Sequence, residues 1–421
     1  MKILIVGGGL IGLTTGYFLR VSGHEVTILD RADGPGRETS FANGGMLTPG
    51  WSQPWNAPGT WRVLLRSVGR SDSGLQLRVR TLPALASWGM RFLRNSTPAA
   101  FDRNHRSNLR LALYSLEVMH ALRQRTQIAY SDGARGSLGL FRDSATLDRV
   151  YDRWSRLLPA GLISRRLSAA EVIALEPNLT PIADRLRGAI YCESDEVGDA
   201  QRFCEALAVE ARRAGLEFRF GTEVCSLDIR SRRIMGVRTE RERFVADQYI
   251  IAAGSYSTLL LRQAKVRLPV CPAKGYSVTF ENSSDRPTLN RPVIDYFLNA
   301  AVVPFNGYMR AAGTAEFAGY DRALTSARIH NLLALVRQVL PQAEWNLADA
   351  KCWCGLRPSS PDGVAIIGAT PVQNLWINSG HGHLGWTMAA GSAQLLTNLI
   401  SGESPAIDPG PYSLARFSAS G

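Results

Sequence analysis

The first thirty residues restrict the chain more than any other stretch. KILIV (2–6) is a continuous run of branched apolar side chains, the pattern of a parallel strand buried on both faces. GGGLIG (7–12) follows at once, with Gly7, Gly9 and Gly12 in GxGxxG spacing. LTTGYFLRVSG then predicts a helix capped by Gly23, and HEVTILD a second strand ending at Asp30. The residue type at each position has a physical reason. Gly7 turns tightly, Gly9 lets a pyrophosphate approach the backbone, and Gly12 lets helix pack on strand. The helix start offers unpaired N–H groups and a partial positive charge to the phosphates. Asp30, 18 residues past Gly12, accepts from a ribose hydroxyl. This order of strand, glycines, helix, strand and acid points to a dinucleotide; the competing account is a glycine-rich turn in another α/β fold.

The fingerprint alone does not choose between NAD and FAD. The next segment, RETSFANGGMLTPG (37–50), is polar, glycine-rich and without apolar period, where an NAD domain usually continues with another βα unit. It suits a loop laid along an extended cofactor. Downstream, NLRLALYSLEVMHALRQRTQ (108–127) has helical periodicity and SLGLFR (137–142) reads as a strand. DAQRFCEALAVEARRAGLEFRFGTEVCSLD (199–228) predicts an amphipathic helix stopped by Gly215, then a strand to TEVCSLD. FVADQYIIAAGSYS (244–257) is an apolar strand ending in a small-residue turn around Gly254. YSVTF (276–280), GYMRAAGTAEF (307–317) and LWINSG (375–380) read as further strands, and HGHLGWTMAAGSAQLLTNLISG (381–402) as a glycine-led turn entering a helix. No internal repeat or low-complexity tract is present.

Composition removes several classes. At 421 residues, 45% hydrophobic and 20% charged, the chain is sized for two or three folded domains. Its net charge of +12 comes almost wholly from arginine, lysine occurring only at 2, 265, 274 and 351, and the cations form no run of the kind that grips nucleic acid. The six cysteines include no CxxC pair or zinc-type spacing, so reduced thiols and no metal are expected. No run of 18 apolar residues occurs, and the only apolar stretch near the start is the nucleotide-binding strand itself. A cytoplasmic protein is expected, with one further option: Arg62, Arg66, Arg70, Arg78 and Arg80 flank VLL and LQL, a basic amphipathic patch suited to peripheral contact with the inner face of an anionic membrane. A solvated face is the plainer account of the same residues.

Six stretches together, GGGLIG (7–12), ILDR (28–31), ETSFANGG (38–45), RAAGTAEF (310–317), GLRPSSPDG (355–363) and NSGHGHLGWTMAAGSAQLL (378–396), span the chain from end to end. In that order they resemble the D-amino-acid-oxidase-like superfamily of FAD-dependent amine oxidoreductases, and within it the small subunits of bacterial D-amino-acid dehydrogenases. The resemblance implies an α/β fold in which a Rossmann-like FAD-binding domain (1–50, 160–265 and 350–421) is interleaved with an α+β substrate domain (51–159 and 266–349) containing a large, mainly antiparallel sheet. It implies FAD pyrophosphate at Gly7, Gly9 and Gly12, the adenosine ribose at Asp30 and Arg31 near the adenine. Thr39, Ser40, Asn43, Gly44 and Gly45 would line pyrophosphate and flavin. Val224 would meet adenine through its backbone, Gly254 would make a second crossing, and Gly382, His383, Leu384, Gly385 and Thr387 belong to the turn over the flavin pyrimidine. Two positions depart from the pattern: Met46 stands where glutamine is frequent, and His383 where a small residue is common.

In relatives the arginine of GLRP pairs with the substrate carboxylate, and Arg357 falls on that position. A guanidinium offers a rigid fork for two carboxylate oxygens and stays charged. The plainer reading is a structural arginine paired with an acid such as Asp362. The resemblance implies hydride transfer from the substrate α carbon to flavin N5, then hydrolysis of the imino acid to a 2-oxo acid and ammonia, with electrons passed to a quinone or other carrier. A D-proline or D-hydroxyproline dehydrogenase, an oxygen-using oxidase and a non-catalytic flavin subunit of a larger complex stand as alternatives. Tyr276 is a candidate pocket residue, or else a strand tyrosine anchored by its hydroxyl. His383 contacts substrate or serves as a structural donor. Cys352 and Cys354 do not match the spacing of flavin-attaching cysteines, so non-covalent FAD is expected.

Overall fold

The protein is described from a computed structural model, over residues 1–69, 74–130, 135–156, 161–284, 286–298 and 300–418. KILIV forms the central strand Lys2–Val6 of a six-stranded sheet, its side chains buried after the first residue. Across the sheet the strands run Ile366–Ala369, Leu375–Ser379, Gln248–Ile251, Lys2–Val6, Glu25–Leu29 and Glu217–Arg219. All neighbours are parallel except the first pair. Register decides what meets at the strand ends. Val6 is level with Leu29 and Ile251, so the turns beginning at Gly7, Asp30 and Ala252 lie side by side. That is the crevice where parallel sheets bind dinucleotides.

The helix expected after the glycines is α1 (Leu10–Val21), ended by Ser22 and Gly23. The strand expected to run on to TEVCSLD splits: Glu217–Arg219 closes the main sheet, Gly221 turns at φ +66°, and Ser226–Arg230 opens a separate three-stranded sheet. Between residues 51 and 127 lie α2 (Thr60–Ser67), α3 (Leu82–Arg94) and α4 (Pro98–Thr126). α4 begins ten residues before the apolar period at 108, because Thr97 caps it through Ala100 N at 3.3 Å and Pro98 suits its first turn. α4 crosses the C-terminal helix Gly385–Ser401 closely: a Cβ on Gly391 would stand 2.8 Å from Ser115 Cα.

A ten-stranded, mainly antiparallel sheet forms the second layer. Its path is Ala350–Ser359, Cys271–Glu281, Tyr308–Phe317, Ala300–Phe305, Val293–Asp295, Arg135–Phe141, Gly188–Val197 and Met46–Leu47, with Leu75–Leu77 and Ser164–Leu167 attached at the side. The boundaries expected from sequence therefore shift. Residues 164–167, 188–197 and 350–359 belong to this sheet rather than to the nucleotide-binding layer. α4, expected with the substrate domain, shares the hydrophobic core of α1 and the C-terminal helix through Leu111, Ala112 and Met119. Among the described residues no helix is long and apolar enough to cross a membrane.

Candidate active site

A single cavity of about 1320 Å³ runs from the glycine turn to Arg357, larger than the roughly 300–1,000 Å³ typical of one small ligand. Gly7, Gly9, Asp30, Arg31, Thr39, Ser40, Asn43, Gly44, Gly45, Met46, Val224 and Gly254 line its first part. Packing explains some of these glycines and not others. A Cβ on Gly12 would lie 1.8 Å from the Gly7 carbonyl oxygen, and one on Gly7, already at φ +115°, 2.5 Å from that of Ala252. On Gly9 the nearest atom would be Ser40 Oγ at 3.5 Å, and on Gly44 the Ala312 Cβ at 3.8 Å. Among the described residues no atom crowds a Cβ at those two positions, and the open space fits a ligand.

Charges at this end are closed by the protein. Asp30 accepts from Gly8 N at 2.5 Å and Ala32 N at 2.8 Å, and burial raises its pKa. Arg31 pairs with Glu38 at 2.6 Å and lies 4.0 Å over the Tyr256 ring. Ser40 Oγ accepts from Leu10 N at 3.2 Å at the start of α1, and Thr39 Oγ1 donates to Leu356 O at 2.9 Å. Asn43 holds its own turn by accepting from Gly45 N at 2.9 Å. The Val224 amide, at the cavity edge, has no hydrogen-bond partner among the described residues.

The other end is built by alternation in two paired strands. Arg357 is opposite Ala273, Gly355 opposite Gly275, and Trp353 opposite Ser277, so these six share one face. The guanidinium lies across Gly275, where a Cβ would be 2.2 Å from Arg357 Cζ. Its Nη1 donates to Thr314 O at 2.7 Å and its plane sits 5.7 Å from the Trp55 ring. Thr314 is one of two residues opposing Gly275, a β-bulge that aims this carbonyl, and its φ is +53°. Among the described residues no carboxylate pairs with Arg357. Asp362, its expected structural partner, is held instead by Arg416 at 2.7 and 3.1 Å. Burial lowers the Arg357 pKa to about 10, so it remains a cation at neutral pH. The side chain is half-buried, and a charge partly withdrawn from water without a counterion is a cost to the fold.

His381 and His383 complete this end. The His383 ring stacks on Trp55 with centroids 5.2 Å apart and planes at 13°, and it is accessible from the cavity. Its depth and the Arg357 charge push its pKa down to about 4, so the imidazole is neutral. His381 is buried, and neither ring nitrogen has a partner among the described residues. Such orphaned polar atoms lining a cavity fit a polar ligand that completes them. Gly382 and Gly385 line the cavity beside the two rings.

Of three further expected residues, two lie off the cavity wall and one turns its side chain to the other sheet face. Tyr276 borders the cavity, but its hydroxyl donates to Glu316 and lies 3.0 Å from Thr325 Oγ1, on the sheet face opposite Arg357. The even spacing that puts Gly275 under the guanidinium turns its neighbour away, and the anchored-tyrosine reading describes it. Leu384 packs into the core, and Thr387 Oγ1 accepts from Thr48 N at 3.0 Å; neither lines the cavity. Sequence reasoning missed Trp55, Gly275 and Thr314. Trp55 lies in a loop without period, whereas strand alternation from Arg357 through its partner was a signal that could have found Gly275.

A family model described as FAD dependent oxidoreductase matches residues 2–399. The chain belongs to that family. It is 38% identical over 420 residues to a D-amino acid dehydrogenase of Chromohalobacter salexigens, covering 100% of both chains. With a D-amino acid dehydrogenase of Granulibacter bethesdensis it shares 40% over 417 residues, 99% of this chain and 100% of the relative. Among solved structures, glycine oxidase from Geobacillus kaustophilus superposes with a TM-score of 0.76 at 25% identity, covering 99% of each chain. The protein is an FAD-dependent oxidoreductase, and the open glycines, the free Val224 amide and the orphaned His381 nitrogens fit that cofactor.

Proposed function

We propose that the chain is a D-amino-acid dehydrogenase that oxidises a D-amino acid to the imino acid, which water converts to a 2-oxo acid and ammonia, and passes the electrons to a quinone or other carrier. The observation that carries this reading is Arg357, a half-buried cation on the cavity wall with one carbonyl partner and, among the described residues, no acid. The chemistry FAD supplies when bound is acceptance of a hydride, two electrons with one proton, at flavin N5. The chain's own residues supply position. Thr314 O and the Trp55 ring fix the guanidinium, whose remaining N–H groups take the substrate carboxylate as a fork. Holding reactants in a near-attack arrangement contributes roughly 7–11 kcal/mol of barrier reduction. Neutral His383, beside Arg357, presents a ring to the substrate amine without adding positive charge. Met46 puts a thioether where a polar group would stand.

FAD binds without a covalent bond on this reading. Cys354 is buried on the Tyr276 face with its Sγ donating to Arg322 O at 3.1 Å, and Cys352 shares that face by alternation. Denaturation should release all yellow colour from the polypeptide; colour retained on the chain overturns this point. The reaction is tested by anaerobic bleaching of the holoenzyme with D- and L-amino acids, prolines included. Bleaching by D-amino acids is expected, and bleaching by none overturns the reading. Arg357→Ala should keep FAD and lose tenfold or more in kcat/KM, the effect of removing a charge-assisted contact of about 1.5–3 kcal/mol. Reoxidation of the bleached enzyme by a soluble quinone should outpace that by air-saturated buffer.

A further inference from the structure

Asp195, on the strand Gly188–Val197, is a buried acid that the fold does not need in that form. Three other buried acids meet cations: Glu316 meets Arg78 and Lys274, Asp295 meets Arg142, and Asp362 meets Arg416. Asp195 is 1% exposed and pairs with no cation among the described residues; its partners are Ser137 Oγ at 2.6 Å and Gly50 N at 3.3 Å. An asparagine could accept from the same amide and donate to the same hydroxyl oxygen with no charge to bury. A local rule broken without a gain to the fold points to function.

What stands on this carboxyl is the turn Pro49–Trp51. Gly50 is packed so closely that a Cβ there would lie 2.4 Å from Cys192 Sγ and 3.5 Å from Asp195 Oδ1. Trp51 donates its Nε1 to Ser137 Oγ at 3.1 Å, and its ring lies over Gly139, where a Cβ would be 2.1 Å away. Asp195 thus holds residue 50 directly and residue 51 through Ser137. The turn in turn supports the Arg357 end. The Trp51 backbone hydrogen-bonds the His383 ring, and Trp55, four residues on, stacks on that ring at 5.2 Å and lies 5.7 Å from the Arg357 guanidinium. Trp51 lines the cavity, whereas Asp195 and Ser137 do not.

We propose that Asp195 is a positioning residue: protonated, it holds the turn Pro49–Trp51 in place, and ionised, it loosens that turn and the seats of Trp55 and His383, so that the Arg357 end grips a carboxylate less well. The inference rests on the reading of Arg357 as the carboxylate clamp and not on turnover. Burial raises the Asp195 pKa to about 7, against the two hydrogen bonds that lower it. A buried carboxylate without a cation gains by meeting water, and the turn is what covers it. Its charged and titratable neighbours are few. On its own strand the Cys192 thiol is raised well above its ordinary value by burial, Glu193 is exposed, and Glu196 is taken by His120 and Arg123 of α4 at 2.9 Å each. At the Arg357 end, His381 at about 3, His383 at about 4 and Arg357 at about 10 each keep one charge state between pH 6 and 8.

The probe is benzoate, a carboxylate with no amine to titrate, added to FAD-loaded enzyme and read from the flavin spectrum between pH 6 and 8. Its dissociation constant should rise by about threefold or more, up to roughly tenfold, the factor by which the competent fraction falls one pH unit above the midpoint. Asp195→Asn should hold the constant within about twofold over the same interval. Ser137→Ala removes the hydroxyl that donates to the ionised carboxyl, so the rise should move to higher pH; this variant carries the test should Asp195→Asn fail to fold. His120→Asn, in the neighbouring pair, should keep the parent's profile. A parent constant that changes by less than about threefold overturns the proposal. So does an Asp195→Asn enzyme that keeps the rise, a His120→Asn enzyme that loses it, or a Ser137→Ala rise at unchanged or lower pH. Absence of benzoate binding at pH 6 overturns it together with the Arg357 clamp. Anaerobic bleaching separates the two readings: bleaching by D-amino acids with a flat benzoate profile removes the role of Asp195 alone, and the expected profile without bleaching removes the dehydrogenase reading alone.

Discussion

The two ends of the cavity treat charge in opposite ways. Around the ribose position every charge is answered by the protein: two amides close on Asp30, and Glu38 with the Tyr256 ring closes on Arg31. At the far end Arg357 has one carbonyl and His381 has no partner among the described residues. The first end is complete as folded and recognises its ligand by shape and backbone. The second is left incomplete, so ligand binding there relieves a cost already present in the folded chain. Substitutions should separate along the same line.

The largest effect expected is at Gly12, where Ala would drive a Cβ into the Gly7 carbonyl at 1.8 Å. Gly12→Ala should destabilise the chain by on the order of 4 kcal/mol or more and leave no FAD-loaded protein. Gly9→Ala, with no atom nearer than 3.5 Å, should unfold in urea within about 0.5 kcal/mol of the parent yet bind FAD at least tenfold more weakly. Comparable loss of stability in both variants would dissolve the distinction between fold glycine and ligand glycine.

Two arginines of one neighbourhood sharpen the contrast. Arg416 holds buried Asp362 with two nitrogens, and Arg416→Met strands that carboxylate, a loss of roughly 3 kcal/mol. Arg357→Met removes a cation that lacks an acid among the described residues, so urea unfolding of the apo-protein should show no loss or a gain of about 1 kcal/mol. A loss matching that of Arg416→Met would mean that Arg357 is structural.

The same contrast governs what the sequence made legible. The nucleotide end is written in thirty consecutive residues, because a parallel strand, its turn and the following helix are local in the chain, and Gly7, Gly9, Gly12 and Asp30 announce themselves by spacing. The Arg357 end is assembled from the 51–59 loop and the strands at 271–281, 308–317 and 350–359. No local period states that Trp55 will stack on His383. Motif identity put forward Arg357 and Tyr276, which both border the cavity, but the direction of the Tyr276 side chain is fixed by pleat and register. Sheet membership was hidden for a similar reason: Gly188–Val197 and Ala350–Ser359 are ordinary strands in sequence, and only long-range pairing assigns them to the larger sheet.

pH separates two buried groups of opposite sign. Asp195 lies beneath the loop leading to Trp55, accepting from Ser137 Oγ at 2.6 Å and Gly50 N at 3.3 Å, and burial raises its pKa to about 7. Its folded pKa is above the unfolded one, so the stability it contributes is full below pH 4 and lost as pH rises to about 7. His381 is the reverse: burial lowers its pKa to about 3, so its contribution is full above pH 6.5 and lost as acid is added. Asp195→Asn should therefore stabilise the chain by on the order of 2 kcal/mol at pH 8 and hardly at all at pH 4. Urea titrations at the two pH values check this, and an equal gain at both would show that Asp195 does not titrate across the interval.

The smallest effect tests whether the incomplete end is also a strained one. Thr314 is β-branched and sits at φ +53°, a conformation costing about 1–2 kcal/mol for such a residue, and its Oγ1 is buried without a partner among the described residues. Glycine adopts that backbone freely but loses about 0.5–1 kcal/mol more conformational freedom on folding. Thr314→Gly should thus be neutral to about 1 kcal/mol more stable. Its carbonyl stays on Arg357, since the bulge opposite Gly275 and not the side chain aims it, so kcat/KM should stay within about twofold of the parent. A variant equally stable but with kcat/KM down fivefold or more would move Thr314 from holding the guanidinium to touching the substrate, and the orphaned hydroxyl would then belong with the His381 nitrogens among the groups a ligand completes.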